Sequence, residues 1–99
     1  MSAATHATIA TFAMDPTQRA AQDEGLQHMI VPSVRSSPGF VSGTWTYDPA
    51  TDDSVALVLF TSAADAEAFA GNVRANAPHQ RAVGIELRSI RVVEVAATA

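Results

Sequence analysis

The sequence predicts an α+β domain in which four antiparallel strands form one sheet and two helices cover one of its faces. Three observations lead to this fold class. The elements occur in the order strand, helix, strand, strand, helix, strand; both helices begin at capping residues; and one strand is apolar on both sides. Right-handed crossovers convert this order into the ferredoxin-like split βαβ arrangement.

The first strand and the first helix are predicted from the N-terminal third of the chain. Residues 1–5 are small and polar, which indicates a frayed tail, and residues 6–14 carry the β-branched and aromatic side chains typical of a strand. Asp15 is a capping residue directly before a proline, so a helix is predicted over 16–31. Pro32 has no backbone N–H to donate, and we expect it to end or kink this helix.

The second and third strands form a predicted hairpin. Residues 40–47 and 54–60 are strands joined by the polar connection 48–53. Successive side chains of a strand point to opposite faces, so the third strand presents two apolar sets. One set is Val55, Leu57 and Leu59, and the other is Ala56, Val58 and Phe60. Because two helices suffice for only one face, we expect a second copy of the chain to cover the other.

The second helix and the last strand complete the order. Ser62 is the predicted cap of the helix, and Pro78 is predicted to stop it. Residues 83–95 form a strand longer than usual, so we expect a bulge or break at Gly84 or in the Arg88–Ser89 region. The sheet-facing stripe of the helix has helical spacing and consists of Ala66, Phe69, Ala70, Val73 and Ala77.

Composition limits the class of protein. The chain has 99 residues, a net charge of −4 and 16% charged residues, which fits one globular domain over residues 1–99. The acidic balance argues against binding to nucleic acid, and no run of about 18 apolar residues predicts a membrane span. The N-terminus lacks the positive and apolar regions of a secretory signal, so we expect a cytoplasmic protein.

Composition and spacing predict neither a metal site nor a cofactor site. The chain has no Cys, its three His are too far apart for ligand spacing, and its five Gly form no phosphate-binding loop. We therefore expect no metal and no cofactor.

Two segments resemble the dimeric α+β barrel superfamily, whose best-known members are small antibiotic-biosynthesis-type monooxygenases and their haem-degrading relatives. They are Pro38-Gly39-Phe40-Val41-Ser42-Gly43-Thr44-Trp45, at the second strand, and Leu59-Phe60-Thr61-Ser62, which leads into an Ala-rich helix. The resemblance implies sheet-to-sheet pairing into a homodimer that closes a barrel. It also implies one of several activities, among them cofactor-free oxygenation of aromatic substrates, haem breakdown and isomerisation, while some members are oligomerisation modules only.

Trp45 and Tyr47 are the candidate ligand-binding residues. They share one face of the sheet with Gly43, whose missing side chain leaves a slot for a flat ligand beside Trp45. The alternative is that Trp45 packs in the core or in the dimer interface, and that Gly43 makes room for it.

His28 is the candidate catalytic residue, as a neutral-pH base or an axial haem ligand at the border of the apolar side of the first helix. The alternative is a half-exposed surface histidine. Gln18 and Gln22 lie between the apolar and polar sides of the same helix, where they either line a pocket or are boundary residues.

Two functions from different classes follow. The first is a homodimer whose apolar cleft binds a small aromatic or hydrophobic molecule and oxygenates it without a cofactor. The second is a non-catalytic dimerisation module of unknown function, whose aromatic residues are all used in packing. An open cavity beside Trp45 that contains a polar group favours the first function, and a filled cavity favours the second.

Overall fold

Four antiparallel strands form one sheet in the computed structural model, which describes residues 3–99. One helical stretch joins the first two strands, and another joins the last two, so the predicted ferredoxin-like fold class is confirmed. The strands are β1 (His6–Met14), β2 (Phe40–Trp45), β3 (Asp53–Phe60) and β4 (Ile85–Glu94), in the spatial order β2-β3-β1-β4.

The predicted tail over 1–5 lies partly outside the described residues, which begin at Ala3. Its last residue is not frayed. The Thr5 N–H donates to the Phe60 carbonyl, and the Thr5 carbonyl accepts from the Val95 N–H, both at 2.9 Å. These two hydrogen bonds extend the pairing of β1 by one residue on both sides.

The first helix is a composite of four segments. A 3₁₀ turn (Pro16–Gln18) is followed by α1 (Arg19–Gly25), a π-helical turn (Leu26–Ile30) and α2 (Val31–Arg35). Asp15 caps the composite helix as predicted, because its side chain accepts a hydrogen bond from the Thr17 N–H at 2.9 Å. The Thr17 hydroxyl and N–H hold the pKa of Asp15 below its usual value, so this cap stabilises the fold above that pKa and weakens as the pH falls.

The prediction that the first helix ends near Val31 is wrong, since the helix continues through Pro32 to Arg35. A proline inside an α-helix clashes with the carbonyl four residues earlier, here that of His28, and cannot donate to it. The π-helical turn widens the helix directly before α2. Pro32 then occupies the first turn of α2, where a missing N–H is tolerated. The expected kink therefore takes the form of a change in helix type.

The second predicted helix, α3 (Ala63–Arg81), also passes through the proline that was expected to stop it. The reason is that Pro78 lies in the last turn, three residues before the helix ends. The chain then tightens, because the Ala82 and Val83 N–H groups each bond the carbonyl three residues back. The predicted cap is confirmed, since the Ser62 hydroxyl accepts from the Asp65 N–H at 3.1 Å.

The core lies between the sheet and α3. Phe60, Ala66 and Ala70 have no exposed surface, and the rings of Phe60 and Phe69 lie 5.2 Å apart. The predicted stripe of α3 therefore faces the sheet. The β3 set Ala56, Val58 and Phe60 is buried on this helix side.

The other side of the sheet, which we call the open face, carries the second apolar set of β3. Val55 and Leu57 remain 42% and 40% exposed there. Strand pairing places Ile9 of β1 between Leu57 and Arg91 of β4. The open face consists of Ala7, Ile9, Thr11, Thr44, Val55, Leu57, Leu59, Ser89, Arg91 and Val93.

The predicted irregularity of β4 lies in the Arg88–Ser89 region. Thr11 pairs with Ser89, whereas the next residue, Phe12, pairs with Leu87, so Arg88 is the extra residue of a bulge. Gly84, the other predicted position, lies in the turn before β4 and has a φ of 74°.

The two glycines Gly84 and Gly71 provide a matched test of this turn. Gly84→Ala forces a side chain into left-handed backbone and places a Cβ 2.6 Å from the Asp15 Cβ, so we expect it to lower the free energy of unfolding by more than about 1 kcal/mol. Gly71→Ala, within α3 and with nothing within 4 Å of the new Cβ, is expected to raise it by about 0.5–1 kcal/mol. Urea unfolding measures both, and a Gly84→Ala variant as stable as the wild type contradicts the turn.

Candidate ligand-binding site

A cavity of about 740 Å³ lies between the sheet and the helices and opens to solvent. α3 packs mainly over β4 and β1, and α2 packs over β2, so the two helices leave a gap above the middle of the sheet. The floor of the cavity is formed by helix-facing side chains of the sheet, several of them small. They are Thr8, Ala10, Phe12, Ser54, Ala56 and Val58.

The walls of the cavity are mainly apolar, with a limited set of polar side chains among them. One wall comes from the π-helical turn, and the other from Phe69 and Val73 of α3. This combination is typical of sites that bind small organic molecules. The polar side chains that line the cavity from the helices and from the end of β2 include Arg19, Gln22, Asn72, Asn76, Gln80 and Tyr47.

Trp45 is both a cavity wall and a core residue. It lines the cavity, and it also packs against the buried cluster that contains Val58 and Phe60. Its ring lies against Gly43, because a Cβ built on Gly43 would be 2.8 Å from the Trp45 Cη2. The space that Gly43 leaves is therefore occupied by the Trp45 ring, and Gly43 itself is not among the cavity-lining residues.

Tyr47 connects the β2 end of the cavity to the first helix and to the hairpin. The Arg19 Cζ lies 3.6 Å from the centroid of the Tyr47 ring, and the Tyr47 hydroxyl donates to Asp52 Oδ1 at 2.7 Å. That hydrogen bond, with partial burial and the charge of Asp52, raises the pKa of Tyr47 above its ordinary value, while Arg19 opposes the shift. Arg19 also lies 3.8 Å from the Asp23 carboxylate, measured from Nε to Oδ2.

His28 lies on the solvent side of the π-helical turn. Its side chain is 69% exposed, and its Nε2 is 3.7 Å from Glu24 Oε1. It is not among the cavity-lining residues, so the structure brings it together with neither Trp45 nor Tyr47. This position fits the alternative of a surface histidine.

Gln22 is a buried residue of the cavity, with 3% of its surface exposed. Its Nε2 donates to the carbonyls of Asp15, at 3.0 Å, and Val83, at 2.9 Å. Gln22 therefore lines the pocket as one of its two sequence interpretations holds, whereas Gln18 is not among the lining residues.

Sequence reasoning missed Arg19 and the amides of α3. Asn72, Asn76 and Gln80 recur every four residues beside the apolar stripe, so a second stripe of amides was visible in the sequence and faces the cavity. Within residues 3–99, no group of three or more His, Asp or Glu side chains is placed to hold a metal ion. No helix in the same range has the length and hydropathy needed to cross a bilayer.

The hydrogen bond between Tyr47 and Asp52 can be tested by titration, because Tyr47 is the only tyrosine of the chain. We expect its pKa to lie above 10.0 in the wild type, since ionisation removes the donor and places two negative charges together. Asp52→Asn is expected to lower this pKa, measured by ultraviolet absorbance against pH. Asp48→Asn, in the same hairpin, is the control, and equal pKa values in the two variants contradict the assignment.

Comparison with known proteins rests on structure alone. No protein-family model matches the chain, and no curated protein matches it significantly in sequence. Several solved structures share its fold. The haem degrader MhuD of Mycobacterium tuberculosis, with two haems in its active site, is 16% identical, with a TM-score of 0.71 over 95% of this chain and 98% of that one.

Two further structures support the same conclusion. A monooxygenase from the gene ActVA-Orf6 of Streptomyces coelicolor, in complex with nanaomycin D, is 18% identical, with a TM-score of 0.63 over 97% of this chain and 89% of that one. An antibiotic-biosynthesis-monooxygenase-like protein of Chloroflexus aurantiacus is 20% identical, with a TM-score of 0.66 over 96% of each chain. The chain therefore has the fold of the antibiotic-biosynthesis-monooxygenase-like proteins, the ferredoxin-like α+β arrangement that its sequence resembles.

Proposed function

We propose that this chain forms a homodimer in which each subunit binds a flat hydroxyaromatic molecule in the cavity beside Trp45 and oxygenates it with O2, without a cofactor. The observation that carries the proposal is the open cavity itself. Its volume of about 740 Å³ lies within the range of small-molecule sites, which is roughly 300–1,000 Å³. Trp45 and Phe12 offer aromatic surface, and the polar side chains offer a limited number of hydrogen bonds.

The proposed chemistry needs little from the protein beyond binding and orientation. A phenol of the substrate ionises, O2 adds at a ring carbon, one oxygen atom stays as a carbonyl, and the other leaves as water. The substrate supplies the four electrons and both hydrogens of that water, so no other reductant is needed. Arg19 lines the cavity, and its positive charge favours the phenolate.

The printed descriptions of two similar structures are consistent with this use of the cavity. The Streptomyces coelicolor protein is a monooxygenase that holds nanaomycin D, and the Mycobacterium tuberculosis protein holds haems in its active site. The identities of 18% and 16% carry only the fold, so the substrate class proposed for this chain rests on its own cavity.

A non-catalytic dimerisation module remains the second candidate, because Trp45 is partly committed to packing. Its ring fills the space above Gly43 and contacts the core cluster. The open volume beside it, lined by Gln22, Asn72 and Asn76, favours ligand binding instead.

The homodimer part of the proposal rests on the open face. Strand spacing and rise give this face an area of roughly 500 Å², in the range of apolar patches that mark interfaces. Its centre is formed by apolar side chains, with Val55 and Leu57 about two-fifths exposed. A second copy, stacked through the same face about a two-fold axis, matches apolar surface with apolar surface.

We expect the wild type to sediment at equilibrium as a dimer of the 10.3 kDa chain at micromolar concentration. Leu57→Glu places a charge in the centre of the open face and is expected to give a folded monomer, since the same side chain is exposed in one subunit. Met29→Glu, at a position 73% exposed on the helices, is the control and is expected to stay dimeric. A monomeric wild type contradicts the proposal.

We expect 2-naphthol to bind the wild type with micromolar affinity at best, once ordering costs are subtracted. Trp45→Phe is expected to weaken binding by roughly tenfold, because a bound ring loses its largest aromatic contact, and to leave the dimer intact. Phe40→Leu is the control, since Phe40 packs against the core without lining the cavity. Isothermal titration calorimetry measures the affinity, and an oxygen electrode measures turnover.

The opposite pattern supports the second candidate. If no compound of a broad hydroxyaromatic panel binds, and Trp45→Phe dissociates the dimer, Trp45 is a packing residue and the chain is a dimerisation module.

A further inference from the structure

Gln22 holds a buried polar atom that the fold does not use. Its side-chain oxygen, Oε1, is inaccessible and has no hydrogen-bond partner among residues 3–99. The residue as a whole is 3% exposed and lines the cavity. Leaving a buried amide oxygen without a donor is unfavourable, and most buried polar atoms in proteins have partners. The unused oxygen therefore points to a donor that arrives from outside the fold.

The chemical identity of the unused atom is fixed by its surroundings. The Gln22 Nε2 faces the carbonyls of Asp15 and Val83 at 3.0 and 2.9 Å, and that of Gly84 at 3.5 Å. Carbonyl oxygens only accept, so the amide branch that faces them must be the NH₂ group. A flipped amide would place oxygen against oxygen at all three positions.

The two turns around Gln22 hold this amide in place. Gly84 has a φ of 74°, and a Cβ at that position would lie 3.3 Å from the Gln22 Nε2 and 2.6 Å from the Asp15 Cβ. The turn thus brings its carbonyls close enough to take both amide protons. With the nitrogen branch turned to these loops, the oxygen branch is turned away from them.

We propose that Gln22 Oε1 accepts a hydrogen bond from a hydroxyl or N–H of the ligand, so that the cavity selects molecules with a donor at this end over the matching ethers. This inference rests on the proposed function, since it names a recognition element for the same ligand. A phenolate oxygen has no proton to donate, so the hydroxyl at Gln22 is not the one that ionises. A substrate then carries two oxygen substituents, one ionised near Arg19 and one neutral at Gln22.

The placement of the two side chains agrees with this separation. Arg19 lies over Tyr47, which follows β2, whereas Gln22 is bonded to the turn that precedes β4. β2 and β4 are the two edges of the sheet, roughly 14 Å apart at the usual strand spacing. The two polar contacts are thus directed toward opposite edges, which suits a fused-ring molecule with oxygen substituents on different rings.

The test compares 2-naphthol with 2-methoxynaphthalene, which differ only in the donor. In the wild-type protein we expect 2-naphthol to bind at least about tenfold more tightly, the discrimination typical of one well-placed hydrogen bond to a buried polar group. In Gln22→Met the two compounds should bind within twofold of each other. Gln80→Met removes another amide that lines the cavity and is expected to keep the preference.

A spectroscopic measurement on the wild type covers the case in which Gln22→Met does not fold. The ¹³C resonance of the Gln22 side-chain carbonyl is expected to shift with 2-naphthol and to stay in place with the methyl ether. Equal affinities of the wild type for both compounds, without that shift, overturn this inference alone and leave the binding cavity standing. Failure of both compounds to bind overturns the inference together with the proposed function.

Discussion

The close approach of α3 to the sheet is the constraint on which the rest of the structure depends. Ala66 and Ala70 have no exposed surface and carry little bulk, so the helix backbone lies directly over Phe60. The first helix does not approach in the same way. It is anchored at its start by the hydrogen bonds of Gln22 and at its end by the buried side chain of Val34. The cavity is the space left between one tightly packed helix and one that is held at its two ends.

The sequence contained the sheet and the helix starts because those features depend on local chemistry. The two-residue period of β3 separated Ala56, Val58 and Phe60 from Val55, Leu57 and Leu59, and the structure buries the first set and leaves much of the second exposed. Ser62 and Asp15 cap helices because their side chains reach N–H groups two or three residues away.

The predictions that failed concern costs that the chain absorbs elsewhere. Pro32 and Pro78 were expected to stop helices, but a π-helical turn and the proximity of a helix end accommodate them. The polar lining of the cavity was beyond the sequence for a different reason. Arg19, Gln22 and Asn76 converge only because α1 and α3 stand on either side of the same gap, and that distance depends on the packing of the whole domain.

The π-helical turn has a consequence for how this chain tolerates changes in length. A π-helical turn amounts to one residue inserted into an α-helix, so Leu26–Ile30 contains one residue more than a regular helix needs. Losing one residue here rotates α2 against α1 by about 100° and leaves the hydrogen bonds of the sheet untouched. The cavity wall is thus a segment whose register can vary between related chains while the scaffold stays constant, which makes single-residue insertions and deletions, and not only substitutions, a means of reshaping the pocket.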